Sequence, residues 1–147
     1  MTSSMLFQVM SKTGNGLAIN KNNPIPGSQL IVSSPHSNDP DQQWTFVFLQ
    51  QVGASVLFNP GRNFFAAPTG LSKGAAVVLY KMPAGTSWSF SGNNTWNISG
   101  RAIRPQANTD LNLNVLGNSW PPGTAVGIYT WDGGAPNEVW DVIPVAG

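Results

Sequence analysis

Residues 41–46 read DQQWTF, residues 85–90 read GTSWSF and residues 138–142 read EVWDV. In each stretch a tryptophan (Trp44, Trp88 or Trp140) is followed two residues later by Phe46, Phe90 or Val142. That is the period-two alternation of a half-buried strand. Three such stretches in 147 residues mark a repeat, which decides how everything around them is read.

Outward from each tryptophan the same order recurs. The first unit holds GLAINKN (16–22) and GSQLIVSS (27–34) before DQQW. The second holds NFFAAPTG (63–70) and GAAVVLYK (74–81) before GTSW. The third holds DLNLNVLG (110–117) and GTAVGIYT (123–130) before NEVW. A less regular strand opens each unit, at Leu6 to Met10, Val56 to Phe58 and Trp96 to Ile103, giving about four strands per unit. No stretch sustains the apolar spacing of a helix, and twelve prolines punctuate the chain. A propeller needs about four to eight four-stranded blades. Three units instead predict an all-β domain, a β-trefoil with pseudo-threefold symmetry over residues 1–147, with repeats at about 5–48 (α), 49–92 (β) and 93–147 (γ). Leu17, Ile19, Leu30 and Val32 are expected to face inward with Phe64, Ala66, Val77, Leu79, Leu111, Leu113, Val126 and Ile128. The three tryptophans are expected to be core residues.

Charged residues are 9 % of the chain, against roughly 25 % in a typical soluble domain. The net charge is +1, and the seven basic residues are scattered, so the clustered charge that nucleic acid requires is missing. There is no cysteine, no signal-like N-terminus and no apolar run of roughly 18 residues. A cytoplasmic protein without membrane insertion is the expectation. The sequons at Asn93 and Asn97 are then chance occurrences.

The order G-L-x-(V/I)-(D/N), G-x-x-(V/L)-x-(L/V)-aromatic and N-(Q/E)-x-W resembles the ricin-B-type (QxW) β-trefoil lectins, in the disulfide-free form of cytosolic mushroom lectins. Gln42-Gln43-Trp44 is a strict QxW; Thr86-Ser87-Trp88 and Glu138-Val139-Trp140 depart from it. The resemblance implies binding of galactose- or N-acetylgalactosamine-type glycans, one site per repeat, with no cofactor, no metal and a homodimer left open. A sugar needs an aromatic face for its C–H patch and polar partners for its hydroxyls. Carried over residue by residue, the γ repeat supplies Asn114, Tyr129, Asn137 and Glu138, with Trp120 and Trp131 as further walls. Asn114 and Tyr129 are expected to point outward. The α repeat supplies Asn20, Asp41 and Gln42, with Ser33 at the stacking position and His36 nearby. The β repeat has Tyr80 but Ala67, Gly85 and Thr86, and is expected to be inactive. The expected ranking is γ, α, β.

Two other classes compete. A glycosidase needs paired carboxylates, for which Asp132 and Glu138 are the best of six. Both have simpler readings as a turn residue and a buried substitute for Gln, so no enzyme is expected. A β-trefoil protease inhibitor would act through a stiff exposed loop, and NNPIPG (22–27) and NSWPPG (118–123) are proline-stiffened. Sugar binding remains the first reading because polar site residues recur from repeat to repeat.

Overall fold

The computed structural model describes residues 5–83 and 90–145. Twelve strands follow one another: β1 (Phe7–Ser11), β2 (Gly16–Ala18), β3 (Ile31–Ser33), β4 (Thr45–Leu49), β5 (Ala54–Asn59) and β6 (Phe64–Pro68). Then come β7 (Val77–Lys81), β8 (Trp96–Ser99), β9 (Ala102–Pro105), β10 (Leu111–Val115), β11 (Val126–Thr130) and β12 (Trp140–Pro144). The one helical element among the described residues is a 3-10 turn, Pro40–Gln42.

Six strands close a barrel. Antiparallel ladders join β1 to β12, β4 to β5 and β8 to β9. Between them each repeat ties its own first and last strands at the tryptophan. Trp44 N–H donates to the Phe7 carbonyl, Trp96 bridges Ser55, and Trp140 N–H donates to the Arg101 carbonyl. The hairpins β2–β3, β6–β7 and β10–β11 cap one end. Closure leaves the barrel without a free edge. This is the β-trefoil expected from the repeats.

The cap has threefold logic at the level of single hydrogen bonds. Gly27, Gly74 and Gly123 have φ of 87°, 89° and 95°, a conformation that favours glycine. Their N–H groups donate to the Leu79, Ile128 and Val32 carbonyls, so each turn is fastened to a different hairpin. These are corresponding residues, five past each glycine. The β-branched and aliphatic residues between them meet on the axis, and all twelve positions expected to face inward lie in one core cluster.

Three buried indoles complete that core, and they correct the repeat. Trp44 Nε1 donates to the Leu17 carbonyl, Trp140 Nε1 to Leu113, and Trp96 Nε1 to Ala66, at 2.8–2.9 Å. The second repeat's tryptophan is therefore Trp96. Trp88, expected to hold that place, lies outside the described residues, and the second repeat runs on through β8 instead of ending at 92. The matching sequence is Asn94-Thr95-Trp96, which keeps a side-chain amide two residues before the tryptophan, as Gln42 is before Trp44.

The same bonds reset the second strands. Leu17, Ala66 and Leu113 are equivalent, each paired across its hairpin with Val32, Leu79 or Ile128. The sequence alignment of GLAIN with DLNLN is thus displaced by two residues. Such a slip leaves every inward residue inward, because side chains alternate with a period of two. It does not leave the site unchanged.

Candidate functional site

The third repeat carries a cleft of about 470 Å³ between the hairpin β10–β11 and the loop that leads into β12. The strand geometry that builds it is simple. Tyr129 and, just beyond β11, Trp131 are two residues apart and share a face. They are 40 % and 39 % exposed, high for such large rings. Trp120 stands opposite in the β10–β11 connection, half-buried against the core, its indole N–H donated to the Gly117 carbonyl. Asn137 closes the wall: its Nδ2 donates to the Val115 carbonyl at 3.0 Å, while the Val115 N–H donates back to the Asn137 carbonyl.

Glu138 organises the loop from beneath. It is fully buried, and its carboxylate accepts the backbone N–H groups of Asp132, Gly134 and Ala135 at 2.8–3.1 Å. Gln42, its counterpart in the first repeat, accepts from the His36 N–H and donates to the Ser34 carbonyl. A carboxylate has no donor, so the third repeat turns its loop inward with N–H groups alone. With its oxygens so engaged, Glu138 is not free to act with Asp132 as a catalytic pair. Trp131 is steadied by this loop: a Cβ on Gly134 would lie 3.4 Å from its ring.

All six γ residues named from the sequence line this one cleft: Asn114, Trp120, Tyr129, Trp131, Asn137 and Glu138. Asn114 does so differently from the expectation that it points outward. It is 4 % exposed and its side-chain amide meets that of Asn112 at 2.6 Å. The two-residue slip explains this, because the residue equivalent to Asn20 is Leu116. Leu116 folds over Gly127, where an added Cβ would meet its Cδ1 at 2.7 Å. Asp132, singled out from the sequence only as half of a carboxylate pair, lies exposed on the rim of the same cleft.

The other two repeats are arranged otherwise. In the first, Asn20 folds back on its own turn, its Oδ1 accepting the Asn22 N–H. Asp41, 3 % exposed, is clamped by Arg62 Nε at 2.6 Å and Lys21 Nζ at 2.7 Å. Burial by itself would raise its carboxyl, but the hydrogen bonds from Arg62 and Lys21 outweigh that and hold it below the ordinary range. His36 is exposed, held through its backbone N–H, and Ser33 offers no ring. In the second repeat Ala67 is buried, and Gly85 and Thr86 lie outside the described residues. The residues equivalent to Asn20 and Asp41 are Thr69 and Asn93. Tyr80 is stacked on Phe65 at 5.3 Å between centroids, and Phe65 meets Phe90 edge-on. Among the described residues no group of His, Asp and Glu is placed to hold a metal ion, and no helix is long and apolar enough to cross a membrane.

No protein-family model and no curated protein matches the sequence. Solved structures do. A designed threefold-symmetric protein, ThreeFoil, superposes with a TM-score of 0.77 at 21 % identity, over 94 % of this chain and 97 % of its own. The ricin B-like lectin of Macrolepiota procera, in complex with lactose, gives 0.73 at 21 % identity, over 97 % of both chains. What the three share is the β-trefoil. The C-half of an earthworm R-type lectin, in complex with N-acetylgalactosamine, adds 0.71 at 20 % identity, over 95 % of this chain and 98 % of that one.

Proposed function

We propose that this trefoil is a non-catalytic carbohydrate-binding protein and that the third-repeat cleft takes a galactose-type sugar. The observation that supports this most is the meeting of three partly exposed aromatic residues with an anchored amide in one cleft. Tyr129 and Trp131 offer ring faces for the C–H patch of a pyranose. Asn137 and Asp132 stand ready for its hydroxyls, in place of the outward-pointing Asn114 that the sequence had suggested. Leu116, where the first repeat has Asn20, gives the floor an apolar character. A volume of about 470 Å³ lies in the usual range of small-ligand sites, roughly 300–1,000 Å³. The first repeat lacks a ring and has its Asp41 committed to two cations, so it serves at most as a weaker second site.

Calorimetric titration with lactose and N-acetylgalactosamine tests the proposal. Tyr129→Ala is expected to weaken binding by about 1–3 kcal/mol, one to two decades in affinity, without lowering the unfolding midpoint. Asn20→Ala is expected to leave the tighter site untouched. Wild-type affinity in Tyr129→Ala and Trp131→Ala alike would place the sugar elsewhere.

A further inference from the structure

The cleft's two exposed rings are each overlain by a cation. Lys73 Nζ lies 4.9 Å from the centroid of Tyr129, and the Arg104 guanidinium 5.4 Å from that of Trp131. The two cations come from different places in the chain, the β6–β7 connection and β9. Lys21, Arg62 and Arg101 are paired with carboxylates, whereas Lys73 and Arg104 form no ion pair among the described residues. Arg104 spends one N–H on the Thr109 carbonyl at 2.8 Å, leaving the rest of its fork uncommitted. In a chain with seven basic residues, two that lack acidic partners each lie over a ring that lines the same cleft. Of the two acids in the cleft, Glu138 is buried and saturated by backbone N–H groups, which leaves only Asp132 exposed at the rim. The two cations beside these rings thus outnumber the one exposed acid of the cleft.

We propose that the preferred ligand is an acidic glycan: a galactose-type sugar carrying a carboxylate or sulfate, with the ring on Tyr129 and Trp131 and the anion between Lys73 and Arg104. This rests on the sugar-binding reading of the cleft. A cation poised over a ring is weakly desolvated and oriented in advance, so an arriving anion meets a donor that needs little ordering. The guanidinium suits planar carboxylate or sulfate oxygens as a two-pronged donor.

The test is the ratio of affinities for an acidic and a neutral ligand, with 3′-sialyllactose and 3′-sulfolactose each measured against lactose. Wild-type protein is expected to favour the acidic sugars by about tenfold at low salt, the scale of one charge-assisted hydrogen bond at a surface. The preference should shrink as salt rises from about 0.01 M to 1 M, over which the screening length falls from about 30 Å to 3 Å. Lys73→Gln and Arg104→Gln should each lower the ratio, and the double variant should bring it near one. Lys81→Gln removes the same charge on the second repeat and should leave the ratio as it was. Preference for both acids, or for one, supports the proposal and identifies the anion. A wild-type ratio near one, with lactose binding still lost in Tyr129→Ala, overturns the acidic preference and leaves sugar binding intact. A high ratio that survives the double variant also overturns it. Failure of all three ligands to bind removes both readings together.

Discussion

Trp96 is 1 % exposed, and its indole N–H reaches across the barrel wall to the Ala66 carbonyl. Removing such a ring takes away both its packing and the partner of a buried carbonyl. Trp96→Ala is therefore expected to cost about 3–5 kcal/mol, a large share of a domain's roughly 5–15 kcal/mol. Urea titration should show a midpoint far below wild type, as for Trp44→Ala. A near-wild-type midpoint would mean that Trp96 is not one of the three core wedges. Single residues were where the sequence misled most. GTSWSF and NNTWNI both alternate as strands. What separates them is the side chain two places before the tryptophan. Gln42 and Glu138 are buried there to hold a loop, and the half-buried Asn94 accepts the Ser91 N–H of its own loop.

Among the strands, alternation reported faces faithfully and registers poorly. Leu111 and Leu113 are as buried as Leu17 and Ile19, so a slip of two residues went unpunished in the core. It decided the cleft, because it put Leu116 at the place of Asn20 and set Asn114 two residues back along the strand, at a covered position beside Asn112. No pattern along one strand could report this; it is fixed by cross-strand bonds and by Gly127, opposite Asn114 in the ladder. A Cβ at Gly127 would come within 2.6 Å of the Ala75 carbonyl oxygen and 2.7 Å of Leu116. The backbone contact cannot yield by a rotamer change. Gly127→Ala is expected to destabilise by about 1–3 kcal/mol. Gly70→Ala, where nothing lies within 4 Å and φ is ordinary, is expected to be nearly neutral. Equal thermal midpoints for the two variants would show that the hairpins pack less tightly than this.

The molecule as a whole is tied across its repeats by charge as well as by backbone. Asp41 lies in the first repeat and Arg62 in the β5–β6 turn of the second. The folded Asp41 carboxyl titrates below its unfolded value of about 3.9, so acid protonates the unfolded chain first. Its stabilisation is complete above that value and is lost as pH falls through the folded one. Asp41→Asn should thus cost about 1–3 kcal/mol near pH 7, and the gap should narrow as pH falls below the unfolded value of about 3.9. A gap that stayed constant across that range would show the ion pair to be inert. The pairing of β1 with β12 has a temporal meaning too. Strand β1, Phe7–Ser11, leaves the ribosome with the Trp44 side of its pairing soon available, but its other edge must wait for Trp140–Pro144, the last strand of the trefoil. Until then the nascent barrel is an open sheet with two unsatisfied margins. Its completion is a single late event, long-range in sequence and slow for that reason.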